Sequence, residues 1–198
     1  MKIGLTGSIA CGKSTVSSYL RTLGYPVVDA DEISRSMTAP GGEALPAIRR
    51  QFGDAVFSGD VLDRRALGAL VFSDEEKRAQ LNALLHPLII SRIHAQLDAL
   101  DTPDGLVFGD IPLLFECGME NRFSRIWVVS APRSTLIKRL HERDGLSPEE
   151  ACAHIDAQMP LHIKESRAHA VIDTSGSIED TRRHVDRLLD HLKERIQA

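Results

Sequence analysis

Apolar positions along the chain follow two alternating rhythms. Lys2 to Thr6, Tyr25 to Asp29, Leu106 to Asp110, Arg125 to Ser130 and Ala170 to Ile172 are short runs of β-forming character and read as strands. In Ile126-Trp127-Val128-Val129 the apolar residues are consecutive rather than alternating, as expected of a strand covered on both faces. Segments long enough for crossover helices lie between the runs. The pattern therefore predicts an α/β fold on a parallel sheet.

The rhythm breaks once, where roughly 75 residues separate the second run from the third, far more than one crossover helix uses. Within that stretch Ala44 to Phe52, Asp63 to Phe72, Asp74 to Leu85 and Leu88 to Leu100 carry helical spacing, and Pro40-Gly41-Gly42 and Ser58-Gly59-Asp60 are turn signals. Ser73-Asp74-Glu75-Glu76 reads as a capping box, its hydroxyl and third-position carboxylate closing orphan amides. A helical subdomain is expected there. After the fourth run a helix from Pro132 to Arg143 meets Asp144-Gly145, and a new one starts at Ser147-Pro148-Glu149-Glu150 with serine as N-cap, proline at N1 and glutamate at N3. Two short helices meeting at a glycine form a candidate lid.

Composition narrows the class. At 198 residues, 42% hydrophobic and 26% charged, the chain is one large domain or a core with an insertion, and is not collagen-like, disordered or a disulfide scaffold. Its 24 Lys and Arg against 28 Asp and Glu give a net charge of -4, whereas a binder of duplex phosphates carries a basic excess, so no nucleic-acid partner is expected. Cys11, Cys117 and Cys152 are widely spaced and the opening Lys2-Ile3-Gly4-Leu5-Thr6 lacks a signal-peptide pattern, which predicts a reducing, cytoplasmic setting. No apolar run approaches the roughly 18 residues of a membrane span, so no membrane partner is expected. The histidines form no zinc motif, and no structural metal is expected.

The strongest chemical signal is Gly7-Ser8-Ile9-Ala10-Cys11-Gly12-Lys13-Ser14, which fits G-x-x-x-x-G-K-[ST] directly after a strand and before a helical run from Ser14 to Leu23. Such a loop turns successive N–H groups and a helix N-terminus toward an oligophosphate, with Lys13 reaching the β and γ phosphates and the Ser14 hydroxyl meeting Mg²⁺. Ser8, Ile9, Ala10, Cys11, Gly12, Lys13, Ser14 and Thr15 are the candidate nucleotide-binding stretch. A phosphate loop alone leaves open a GTP-dependent switch or an ATPase motor. Against a switch, N-K-x-D is absent and the D-x-x-G from Asp173 to Gly176 follows the last strand, too late for a switch region.

Val28-Asp29-Ala30-Asp31 then places two carboxylates at the carboxyl edge of the sheet, where open α/β sheets bind ligands. The pattern is completed by Leu62-Asp63-Arg64-Arg65-Ala66-Leu67, Val71-Phe72, His86-Pro87-Leu88-Ile89, Ile111-Pro112-Leu113-Leu114-Phe115-Glu116 and Arg139 to Gly145. With these segments the chain resembles the dephospho-CoA kinase family from end to end, through Gln158, Lys164 and Val171-Ile172-Asp173. The resemblance implies a P-loop NTP hydrolase fold with a five-stranded parallel core from 1–31 and 101–198. It implies a helical acceptor domain at 32–100 that binds the CoA moiety, and a lid at about 139–166. The implied reaction moves the γ-phosphoryl of ATP to the ribose 3′-hydroxyl of dephospho-CoA, the last step of coenzyme A synthesis. Mg²⁺ would arrive with ATP, and the partners would be these two small molecules.

Phosphoryl transfer needs in-line positioning, charge neutralisation and exclusion of water. Lys13, Asp31 and Arg139 are the candidate catalytic set. Asp31 is read either as the group that orients the acceptor hydroxyl or as the N-cap of the helix after Ala30, with Asp29 in support. Asp110 could hold a Mg²⁺ water or be structural. Arg139 and Arg143 share a helix face and read as phosphate clamps on a lid or as a solvated basic stripe. Arg64 and His86 are acceptor contacts by resemblance, His86 reading equally as a cap or packing residue before its proline, and Pro112 and Leu113 flank the acceptor or pack the core. Three positions depart from the family pattern. Ala10 requires a negative φ to fit where a small residue, often glycine, is usual. Cys11, beside Lys13 at a helix N-terminus, is expected either to have a depressed pKa and enhanced reactivity or to be a silent serine replacement. Thr174 stands where asparagine is common, which removes an amide's paired donor and acceptor from any adenine contact.

Overall fold

The computed structural model describes residues 1–102 and 105–197. Its elements run β1 (Lys2–Gly7), α1 (Lys13–Thr22), β2 (Val27–Asp29), α2 (Ala30–Met37), α3 (Leu45–Phe52), β3 (Phe57–Ser58), β4 (Val61–Leu62), α4 (Arg64–Ser73) and α5 (Glu75–Leu100). They continue with β5 (Val107–Asp110), β6 (Arg125–Ser130), α6 (Arg133–Asp144), α7 (Pro148–Asp156), α8 (Leu161–Ser166), β7 (Ala170–Asp173) and α9 (Ile178–Gln197). The chain divides into two compact units, residues 1–28 with 97–198, and residues 29–96. The expected limits at 31 and 100 differ from these because α2 starts directly at the end of β2 and α5, which ends at Leu100, runs on past the boundary at 96.

The larger unit is built on a five-stranded sheet in the order β2-β5-β1-β6-β7. Strand β1 pairs in parallel with β5 and β6, placing Lys2 opposite Val107 and Ile3 opposite Arg125, and β6 pairs in parallel with β7. Helices cover both faces, which is why β5 and most of β6 are buried without alternation. Ile3, Leu5, Phe108, Trp127 and Val129 of the strands pack with Val16 and Leu20 of α1, Leu136 and Leu140 of α6, and Val185, Leu189 and Leu192 of α9. The Phe108 and Trp127 rings lie 5.4 Å apart, and Tyr25 meets Phe108 edge-on at 5.6 Å. Helix α6 ends at Gly145, whose φ of 69° supplies the left-handed C-cap. Ser147 and Glu150 close the expected capping box of α7. The short helix α8 has too few residues to leave a period in the sequence.

The smaller unit is helical, as the spacing predicts, with Ile33, Met37, Ile48, Val56, Leu67 and Ile93 buried. Two expectations fail here. The helices read at 74–85 and 88–100 are one helix, α5, with Pro87 inside it. Proline removes one donor and favours a kink, but half-buried Leu84, Leu85, Leu88, Ile89 and Ile90 continue the apolar face across it. The capping box at Ser73 does not form either: Ser73 is the last residue of α4, its hydroxyl donates back to Ala69 O, and Asp74 Oδ1 accepts from Lys77 N at 3.1 Å. Carboxylate and hydroxyl compete for the same orphan amides, and the next residue along wins. The turn at Ser58-Gly59-Asp60 proves to join a small antiparallel hairpin, with Phe57 opposite Leu62. Among the described residues no helix is long and apolar enough to cross a membrane.

Candidate nucleotide site

Strand β1 delivers the chain to Gly7, where a Cβ would stand 2.5 Å from Val129 O and 2.6 Å from Cys11 Sγ, so only glycine fits the turn that follows. The loop then bends through left-handed conformations at Ala10 (φ 59°) and Gly12 (φ 87°) before α1 begins at Lys13. Ala10 thus departs from the negative φ that its side chain favours, because the loop geometry overrides the local preference at this position.

What holds this strained loop is a set of donors and acceptors from the chain's C-terminal half. Lys164 Nζ donates to Gly7 O at 3.3 Å, Arg139 Nη1 to Ala10 O at 3.2 Å, and Thr174 Oγ1 to Cys11 O at 2.7 Å. Gln158 Oε1 accepts from Ile9 N at 2.9 Å and from Ser8 Oγ at 3.4 Å. Three loop carbonyls are thereby drawn to fixed partners. Lys13 forms an ion pair with Asp110, the buried last residue of β5. A cavity of about 460 Å³ opens beside the loop, lined by Ala10, Gly12, Thr15, Arg139, Arg143 and Thr174 among others.

Several expected residues have partners that the sequence does not suggest. Arg139 is not a freely swinging clamp. It is tied to Ala10 O, to Thr174 Oγ1 at 3.1 Å and to Thr174 O at 2.6 Å, while it still lines the cavity. Arg143 faces the same cavity and donates twice to Asp144, at 2.9 and 2.7 Å. Thr174 is buried, so its hydroxyl serves the loop rather than standing open for a base. The Cys11 thiol is 1% exposed, and burial pushes its pKa up despite the lowering effect of Lys13. The expectation of a depressed pKa and a reactive thiol is therefore overturned, because desolvation of the thiolate outweighs the neighbouring ammonium. Pro112 is half-buried and its carbonyl accepts from Thr6 Oγ1 at 3.0 Å, while Leu113 is exposed.

The remaining candidates lie in the helical unit. Asp29, not Asp31, caps α2, accepting from Asp31 N at 2.8 Å and Glu32 N at 3.0 Å. Asp31 is exposed in the first turn, so its carboxylate is not consumed as the cap. Arg64 opens α4 and donates to Thr38 Oγ1 at 2.8 Å and to Arg35 O at 3.2 Å. His86 is exposed within α5, one residue before Pro87. The sequence predicts no role for Lys164, Glu116 or Gln158. Lys164 is 0% exposed and pairs with Glu116 at 2.8 Å. The only local hint was a lysine three residues after Leu161, on what becomes the inward face of α8.

A family model described as dephospho-CoA kinase matches residues 1–180. The chain belongs to the dephospho-CoA kinase family. It is 44% identical over 187 residues to dephospho-CoA kinase of Shouchella clausii, covering 93% of this chain and 95% of that protein. A crystal structure from Thermus thermophilus is 42% identical, with a TM-score of 0.80 and 97% of each chain covered. Dephospho-CoA kinase from Campylobacter jejuni is 28% identical, with a TM-score of 0.72 and 98% and 97% covered. The sheet order, the loop after β1 and these likenesses establish a P-loop NTP hydrolase fold. A kinase family that uses ATP implies a divalent cation. The Ser14 hydroxyl at the start of α1 and the Asp110 carboxylate at the end of β5 are hard oxygen donors, which suits such a cation.

Proposed function

We propose that this protein transfers the γ-phosphoryl group of ATP to the ribose 3′-hydroxyl of dephospho-CoA, giving coenzyme A and ADP, the last step of coenzyme A biosynthesis. The observation that carries this reading is the family match over residues 1–180, which takes in the helical insertion and the 112–116 segment as well as the phosphate loop. A GTP-dependent switch would not need those elements.

In this reading the amides of Ser8 to Thr15 cradle the phosphates, and Lys13 exchanges its partner Asp110 for phosphate oxygens as nucleotide enters. Ser14 and Asp110 would hold Mg²⁺, which supplies charge neutralisation on the phosphates when bound. Arg139 presents a fixed charge to the cavity, its geometry set in advance by the loop carbonyl and Thr174, and Arg143 is the more exchangeable clamp because its partner is a neighbouring carboxylate. Asp31 orients the acceptor hydroxyl and takes its proton. Arg64, His86, Pro112 and Leu113 are assigned to the acceptor.

The Asp31 assignment is tested by Asp31→Asn, which keeps size and removes charge and basicity. Because Asp29 caps the helix, the substitution leaves the cap intact and the melting temperature unchanged. Turnover should fall by about 10² to 10⁴, with ATP affinity little altered. A folded variant losing less than about fivefold in turnover contradicts the role.

A further inference from the structure

Among the described residues, the buried charged side chains are Asp110 and Lys164. Asp110 belongs to the nucleotide site through Lys13. Lys164 has no such assignment, yet its surroundings are as specific. The ammonium pairs with Glu116 at 2.8 Å and donates to Gly7 O at 3.3 Å and Pro112 O at 3.1 Å. Gly7 is the last residue of β1 and the first of the phosphate loop, and Pro112 opens the segment that ends at Glu116. Glu116 in turn accepts from Met159 N at 3.1 Å, one residue after Gln158 takes the Ile9 amide. One ammonium therefore gathers three pieces of chain: the mouth of the phosphate loop, the segment after β5, and the stretch from Gln158 to α8.

Stability alone is a poor reason for this arrangement. Burying an ammonium is costly, and a buried ion pair is often replaced by apolar side chains of similar volume without loss of stability. Lys164 is 0% exposed, and methionine is an apolar side chain of similar length and volume. What a methionine cannot do is hold two backbone carbonyls and a carboxylate at fixed mutual positions.

We propose that Lys164 is a positioning residue for phosphoryl transfer, holding Gly7 of the phosphate loop in register with the Pro112 to Glu116 segment. The inference rests on the phosphoryl-transfer reading above. Misplacement of reacting groups by about 1 Å costs on the order of 10²-fold in rate, so a lost strut should appear in kcat more than in the KM of either substrate.

The experiment first measures coenzyme A formation by the wild-type protein; its absence would overturn the reading of function and, with it, this role for Lys164. With wild-type activity in hand, Lys164→Met is compared with the double variant Lys164→Met/Glu116→Gln, which removes the stranded carboxylate charge but keeps an acceptor for Met159 N. Both are assayed at a temperature where circular dichroism shows them folded. The melting temperature of the double variant should recover toward wild type, while kcat in both stays down by about 10- to 100-fold and each KM moves less than about threefold. Recovery of kcat in step with melting temperature, or a loss confined to KM, would overturn the proposal. If Lys164→Met does not fold, Glu116→Gln alone takes its place. It loosens the ammonium without removing it, and kcat should fall by about three- to tenfold in a folded protein. An unchanged kcat there would equally overturn it.

Discussion

Thr174→Val is nearly isosteric and removes one hydroxyl from a site that is 5% exposed. In the structure that hydroxyl donates to Cys11 O at 2.7 Å, has Ser130 O at 3.2 Å as a second acceptor, and accepts from Arg139 Nη1 at 3.1 Å. Valine deprives the buried Cys11 carbonyl of this donor, a cost of about 1–3 kcal/mol. Arg139 keeps Thr174 O and Ala10 O, so its share is under about 1 kcal/mol. The sum is about 2 kcal/mol, and in a protein of this size each kcal/mol shifts Tm by about 2–4 °C, so the variant should melt about 4–8 °C lower. Because the lost bond holds the phosphate loop, about half of this cost should reach nucleotide binding and raise the ATP KM about fivefold. Differential scanning calorimetry and initial rates against ATP measure both. Thr174→Ser, which keeps the hydroxyl, should keep the KM. A valine variant with Tm within about 1 °C of wild type and an unchanged KM would refute the role given to Thr174.

Two further outcomes follow from the same loop. Ala10→Gly relieves a left-handed alanine worth about 1–2 kcal/mol and loses about 0.4–1 kcal/mol to the freer unfolded chain, so thermal melting should show a change between zero and about 1.6 kcal/mol in favour of the variant. A loss above about 1 kcal/mol would contradict the strain at Ala10. In the native protein at neutral pH, iodoacetamide should label half-buried Cys117 and Cys152 before Cys11, which is 1% exposed; burial raises the thiol pKa of both Cys117 and Cys11, so access separates these two. Peptide mass mapping with Cys11 labelled first would contradict this.

The legible parts of the fold share a physical reason. Lys2–Gly7 and Arg125–Ser130 stand within one residue of expectation because strands buried on both faces leave continuous apolar runs with sharp polar ends. The phosphate loop is legible because its geometry demands particular residue types at fixed spacing. The illegible parts depend on partners far along the chain. Lys164 contacts Gly7 across 157 positions, so no local window contains the reason for burying it. Thr174 looks like a substitution facing a base until Cys11 and Arg139 are placed around it. Pro87 signals a helix end, and only an apolar face on both sides carries the helix through it. At Ala10 the residue type argues for one backbone region and the loop imposes another.

We assign the loop from Gly7 to Ser14 to phosphoryl transfer onto dephospho-CoA. The most direct test is to incubate the purified protein with Mg-ATP and dephospho-CoA and to identify the product by mass and by phosphorus NMR, with Lys13→Ala alongside. The product should be heavier by one phosphoryl group, esterified at the ribose 3′ oxygen, with one ADP released per product. Turnover should be almost completely lost in a Lys13→Ala protein that remains folded, because Lys13 meets phosphate charge and does not pack the core. ATP cleavage by the wild-type protein without phosphorylated acceptor, or turnover unchanged in Lys13→Ala, would contradict the assignment.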